Sequence, residues 1–205
     1  MKHILVANAK GGSGKTTLAT NLAGYLATQS NHVLLADLDR QQSSTQWLHR
    51  RPADVPIIHT SQHKPSHAIE WVVTDSPAGL RDEKLAEAVK EADLVIVPIQ
   101  PSAFDIGAAA DFLEVLMTEK AIRKNKTFVA LVGSRVNSRT NAAMGLATFM
   151  NESGFPVLAY LRNSQVYTTA AEQGLSIFDM RPSVVAQDIE QWSVLLDWIK
   201  DTHVK

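Results

Sequence analysis

The 205-residue sequence predicts an α/β fold, a mostly parallel, doubly wound sheet flanked by helices. Three observations carry that prediction. Short apolar, β-branched runs alternate with longer stretches of helical period. A glycine-rich loop separates the first such run from the first helical stretch. The composition is that of an ordinary globular chain, with 45% hydrophobic and 20% charged residues. Strands alternating with helices must return by crossovers, so neighbouring strands run parallel and helices cover both faces.

The strand-like runs are Ile4 to Ala7, Val33 to Ala36, Trp71 to Thr74, Leu94 to Pro98, Phe128 to Val132 and Val157 to Leu161. Each is short and rich in Val, Ile or Leu, as a strand buried on both faces should be. Helices are expected between them over Lys15 to Thr28, Asp82 to Glu91, Ala103 to Thr118 and Asn141 to Glu152, where Ala and Leu are frequent and helix breakers few. The stretch from Arg50 to Ser66 carries Pro52, Pro56 and Pro65 and reads as surface connection with one short strand at Ile57-Ile58. His59, His63 and His67 fall in or beside it without carboxylate partners, which favours solvated loop histidines over a metal cluster. The length suits one domain, expected to span residues 1–205.

Charge and cysteine content exclude several function classes. Twenty basic residues against twenty-one acidic ones leave no global pull toward nucleic acid or anionic lipid, so any such contact needs a local patch. The absence of cysteine excludes disulfides, thiolate metal sites and cysteine-held iron–sulfur clusters. Met1-Lys2-His3 leads directly into Ile4 to Ala7, too short an apolar run for a signal peptide, so a cytoplasmic location is expected.

The most specific signal is Ala9-Lys10-Gly11-Gly12-Ser13-Gly14-Lys15-Thr16-Thr17, placed after a strand and before a helix. This is the setting of a phosphate-binding P-loop, with Ala9 where the general pattern has glycine. Glycines let backbone N–H groups turn inward around phosphates, and the following helix presents the positive end of its dipole. Lys15 is placed to neutralise β- and γ-phosphate oxygens, and Thr16 to offer a hydroxyl to magnesium. ATP and Mg2+ are therefore the expected ligands, with Lys10, Gly11, Gly12, Ser13, Gly14, Lys15, Thr16 and Thr17 as nucleotide-binding residues. A second lysine ahead of a nest that Lys15 already serves suggests that Lys10 reaches a phosphate held by another subunit.

The segment from Lys10 to Thr16 resembles the deviant Walker A motif of the ParA/MinD ATPases, in which the early lysine crosses an ATP-sandwich dimer. Leu34 to Gln42, with Asp37-Leu38-Asp39-Arg40-Gln41-Gln42, is similar to the family strand that ends in Asp-x-Asp-Pro-Gln, with Arg40 in place of proline. Val72 to Gly79 looks like the Walker B strand and second switch. Asn137 to Asn141, Arg162-Asn163 and Ala171 to Gly174 resemble later ParA segments, so the likeness favours ParA over MinD. Nitrogenase iron proteins, cluster-assembly ATPases and arsenite-pump ATPases depend on cysteines absent here. Tyrosine kinases of the same loop class carry a C-terminal tyrosine cluster that this chain lacks.

The resemblance implies an ATP hydrolase that dimerises with ATP. Asp39 would position the attacking water and, with Thr16 and Asp75, serve the metal; Lys10, Lys15 and Asp39 would be catalytic. Asp39 is also expected at the carboxyl end of a strand beside the first, where open parallel sheets bind ligands. The family implies non-specific nucleoid DNA as a track and a ParB-like or analogous cargo adaptor, with a basic N-terminus, as the stimulator of hydrolysis. For DNA, Arg162 is the candidate, with Arg123, Lys124, Lys126 and Arg139 as further cations. The C-terminal stripe Ile189, Trp192, Leu195, Leu196 and Ile199 is flanked by Asp188, Glu190, Asp197 and Asp201 against Lys200 and Lys205, which suits packing on the domain rather than a membrane. Phe178 to Pro182 lies where family members close over the base. Alternatives to a partition or positioning ATPase are a metabolic P-loop phosphotransferase or synthetase and a MinD-like membrane-associated ATPase.

Overall fold

A computed structural model describes residues 1–61 and 68–202. His63, His67 and Lys205 lie outside the described residues. The elements run β1 (Lys2–Val6), α1 (Lys15–Thr28), β2 (Val33–Asp37), α2 (Ser43–Arg50), β3 (Ile58–Thr60), β4 (Trp71–Asp75), α3 (Asp82–Glu91), β5 (Leu94–Ile99), α4 (Ala103–Thr118), α5 (Lys120–Arg123), β6 (Phe128–Val136), α6 (Asn141–Glu152), β7 (Val157–Arg162), α7 (Gln165–Glu172), α8 (Pro182–Glu190) and α9 (Ser193–Asp201). A 3-10 turn over Ile177–Asp179 joins α7 to α8.

The strands form one seven-stranded sheet in the order β3-β2-β4-β1-β5-β6-β7. All the strand pairs are parallel. Alternate residues of each central strand enter opposite cores, as a period of two requires. Ile4, Val6, Leu94 and Ile96 pack with Leu18, Leu22, Trp47, Trp192 and Leu195 on one face. Leu5, Ala7, Val95 and Val97 pack with Leu85, Phe112, Leu116 and Leu146 on the other. The doubly wound architecture expected from the sequence is thus observed, and each fully buried Leu or Ile contributes about 1.5–3 kcal/mol to holding it.

Several elements differ from the sequence expectation. β6 runs on to Val136, past register shifts at Leu131/Val132 and Gly133/Val136 against β7. The helix α2 was not anticipated, because its sequence SSTQWLHR offers little intrinsic helicity. It is secured by tertiary packing, with Trp47 only 2% exposed and its indole N–H donating to the Leu175 carbonyl at 3.2 Å. α5 and α7 were also missed, one being a single turn and the other carrying Thr168-Thr169. The short strand of the 50–66 stretch lies at Ile58–Thr60, one residue later than expected, and forms a sheet edge.

The C-terminal apolar stripe is divided between two helices by a turn at Gln191-Trp192. Its residues are nevertheless packed inward. Trp192, Leu195 and Ile199 are at most 1% exposed, and the Trp192 indole donates to the Tyr167 hydroxyl at 2.9 Å. Among the described residues no helix is long and apolar enough to cross a membrane.

Candidate functional site

The loops leaving β1, β2 and β4 and the bulged end of β6 converge at the carboxyl edge of the sheet. The β1 loop is anchored by Asn8, whose amide donates to the Pro98 carbonyl at 2.8 Å while its Oδ1 accepts the Lys10 N–H at 2.9 Å. The Gln100 amide donates to the Gly12 carbonyl from the next strand. Gly14, at φ 103°, is the residue preceding α1, and a Cβ there would stand 2.5 Å from the Ser134 hydroxyl. Only glycine fits, for backbone conformation and for space. No side chain caps the α1 N-terminus and no acidic residue lies in its first turn, so its backbone donors remain directed at the loop.

Lys15 is 7% exposed and donates to the Lys10 carbonyl at 2.9 Å. Burial lowers its ammonium from the ordinary lysine range, with the charges of Asp75 and Asp39 opposing that shift. A cation held in this way favours an anionic ligand that would restore its charge. Thr16 donates to Asp75 Oδ2 at 2.8 Å. Burial pushes the Asp75 carboxyl up to about 6; the Thr16 hydrogen bond opposes the shift and the charge of Asp37 adds to it. The Ser44 hydroxyl acts on Asp75 in the same sense as Thr16, while the hydroxyls of Ser13 and Ser76 are buried without a hydrogen-bond partner. Unpaired buried oxygens beside a threonine hydroxyl fit a hydrated divalent cation, which would supply the missing interactions.

Asp37 organises the neighbouring loop by accepting the Asp39 N–H at 3.0 Å and the Thr45 N–H at 2.9 Å. Asp39 accepts the Gln41 N–H at 3.0 Å and lines a cavity of about 250 Å3 with Gly11, Gly12, Gly14, Lys15 and Thr16. The structure therefore brings Asp39, Lys15, Thr16 and the glycines to one cradle, with Asp75 beneath it. Lys10 is turned aside, its ammonium 2.7 Å from Asp105 Oδ2. Asp105, in the first turn of α4, also accepts the Ser102 hydroxyl, and Ser102 Oγ accepts the Asp105 N–H. The sequence reading missed Asp105 because its acid lies 95 residues from Lys10 and carries no motif of its own.

A second cavity, about 600 Å3, adjoins the cradle and is lined by Thr17, Ser134, Asn163, Tyr167, Thr168 and Glu172 among others. Residues 178–182 do not line it. Phe178 instead packs edge-on between Tyr25 and Trp192, at centroid distances of 5.0 and 5.6 Å. Arg162 borders the cavity, but its guanidinium is engaged by Asp188 in two hydrogen bonds of 2.7 and 2.8 Å. Arg123, Lys124 and Lys126 are exposed at the end of α5. His59 is on β3, and the described residues contain no group of three His, Cys, Asp or Glu side chains arranged to hold a metal.

A parallel sheet whose first strand feeds a left-handed glycine loop, with a desolvated lysine and two carboxylates around it, defines a P-loop nucleotide-binding domain. The family model described as the CobQ/CobB/MinD/ParA nucleotide binding domain matches residues 4–177, and the chain belongs to that family. It is 31% identical over 203 residues to the maintenance of carboxysome distribution protein A of Halothiobacillus neapolitanus, covering 92% of this chain and 93% of that protein. The fold is shared with the cell division ATPase MinD of Pyrococcus furiosus at a TM-score of 0.74 and 16% identity, over 98% of each chain. It is also shared with an McdA variant from Cyanothece in complex with ATP, at a TM-score of 0.71 and 18% identity over 95% of this chain and 96% of that one.

Proposed function

We propose that the chain is a ParA-like ATPase whose ATP-bound homodimer holds non-specific DNA and positions a cargo, and whose hydrolysis is triggered by an adaptor protein. The observation that carries the reading is the cradle itself, in which Asp39 and a desolvated Lys15 share one cavity with the left-handed loop. Similarity to a protein named for carboxysome distribution supports a positioning role. A plasmid or chromosome complex and a protein organelle are both cargoes that such a switch could move.

In this reading the phosphates lie on the backbone from Lys10 to Thr17 and against Lys15, while the larger cavity takes the base. Thr16, Asp39 and Asp75 would hold magnesium, which supplies charge neutralisation at the phosphates when bound. Asp39 orients the attacking water. Lys10 leaves Asp105 to contact the nucleotide of the second subunit. Loss of the γ-phosphate releases the loops after β2 and β4 and opens the dimer. Exposed Arg123, Lys124 and Lys126 supply phosphate contacts to DNA, with Arg162 available only if it leaves Asp188.

The test is binding to non-specific duplex DNA without nucleotide, with ADP and with ATP-magnesium, at two salt concentrations. Binding confined to the ATP state and weakened by salt is expected. Equal binding in all three states, or none, removes the DNA track from the reading. Asp39→Ala should retain ATP-dependent dimerisation and DNA binding while hydrolysis is lost; a phosphotransferase acting on a small molecule would show no nucleotide-gated DNA binding.

A further inference from the structure

Arg135 stands apart from the rest of its strand. β6 is otherwise largely buried, whereas Arg135 is exposed and sits at φ 52°, inside the register shift between Gly133 and Val136. A non-glycine residue in the left-handed region costs on the order of 1 kcal/mol or more and persists only where the surroundings hold it. The bulge is pressed against the phosphate loop, since its Ser134 hydroxyl occupies the space a side chain at Gly14 would need. A bulge of this kind re-aims one side chain out of a ladder. Here the re-aimed side chain is a guanidinium with no hydrogen bond or ion pair to any described residue. By contrast, the Arg51 and Arg162 guanidiniums are each held by an aspartate.

Its position is more informative than its freedom. The 250 Å3 cradle and the 600 Å3 cavity have two lining residues in common, Thr17 and Arg135. Thr17 is in the first turn of α1, where backbone N–H groups lack helical partners. The seam between the two cavities is where a nucleotide passes from phosphate tail to sugar. Arg135 lines both cavities, whereas Asp39 lines the cradle and not the larger cavity. Guanidinium is suited to such a seam because its fixed donors match two phosphate oxygens at once.

We propose that Arg135 is a nucleotide-binding residue acting in cis, which clamps the α-phosphate of ADP and ATP alike where the phosphate cradle meets the base cavity. The assignment rests on the nucleotide reading above and adds to it a residue outside the loop motifs. Because the contact is made to a group common to both nucleotides, it acts on affinity rather than on the difference between the two states.

The experiment measures Mg-ADP and Mg-ATP affinity by competition against a fluorescent ADP analogue for wild type, Arg135→Gln and Arg135→Gly. Arg135→Gln removes the charge and keeps the length. Arg135→Gly also relieves the left-handed backbone, so its nucleotide-free melting temperature should equal or exceed that of wild type. Both variants should bind ADP and ATP about 10- to 100-fold more weakly and by the same factor, the range for loss of a charge-assisted hydrogen bond. Affinity within twofold of wild type in the folded glycine variant overturns the assignment. A loss confined to ATP overturns it too, by placing the guanidinium at the γ-phosphate. Wild type that binds neither nucleotide defeats the nucleotide reading itself.

Discussion

Asp75 and Lys15 are ionisable groups that burial in the cradle drives away from their charged forms. For Asp75 the direction has a measurable consequence. Its carboxyl titrates at about 6 in the folded chain against an ordinary value of 3.8, so between these the native state binds more protons than the unfolded one. The stability this group contributes is therefore fully present below about pH 4 and is lost as pH rises through about 6, by roughly 2–3 kcal/mol. Melting followed from pH 4 to 8 in chelator, without nucleotide, should show this decline in wild type. Asp75→Asn should flatten it and be the more stable protein at pH 8; parallel profiles would show that Asp75 is not the responsible group. Asp105→Asn tests the proposed change of partner at Lys10. With the 2.7 Å ion pair weakened, ATP-dependent self-association should begin at a lower protein concentration, as read by light scattering or sedimentation. An unchanged threshold would mean that the pair does not compete with the dimer.

At the scale of elements, the turn after α7 meets the end of α2 backbone against backbone. Gly174 has φ 68°, and a Cβ there would lie 2.4 Å from the Arg50 carbonyl carbon and 2.5 Å from the Arg51 nitrogen. Backbone cannot move aside as a flexible side chain can. Gly174→Ala should therefore cost on the order of 3 kcal/mol or more in stability, seen as a large fall in melting temperature. The long, strongly apolar strands and the helices α1, α3, α4 and α6 were legible in the sequence because periodicity and propensity agreed there. The elements that escaped were those that tertiary contact sustains. α2 depends on Trp47 and on contacts with α7, and the C-terminal stripe folds as two helices because Trp192 turns into the core. The gathering of Gly11, Gly12, Gly14, Lys15, Thr16 and Asp39 around one cavity was legible in the loop motifs, whereas the pairing of Lys10 with Asp105 was not. Asp105 and Arg135 were not legible, because their meaning arises only when β5, α4 and β6 are brought beside the loop.

For the whole molecule, a formal net charge of −1 gives no long-range attraction to a polyanion. If the ATP state holds DNA, the retention must come from a local group of cations. Replacing Arg123, Lys124 and Lys126 together by alanine should weaken that retention and flatten its salt dependence by about two to three units in the log–log slope, while leaving ATP turnover and melting temperature nearly unchanged. Arg162→Ala should behave differently, because it strands the fully buried Asp188 side chain without its partner and lowers the melting temperature even with no DNA present. A DNA defect in Arg162→Ala at constant stability would place that arginine at the interface instead.

The Lys10–Asp105 pair gives the isolated chain an answer to crowding. An intramolecular contact forms at the same strength however dilute the protein is, whereas a contact across a dimer strengthens with every increase in local abundance. If Lys10 also serves the dimer as proposed, one ammonium that must choose between the two contacts would make each copy a gauge of how many others are nearby. On the proposed reading, the place in a cell where copies accumulate would then decide where the lysine changes sides, so that spatial unevenness becomes chemistry.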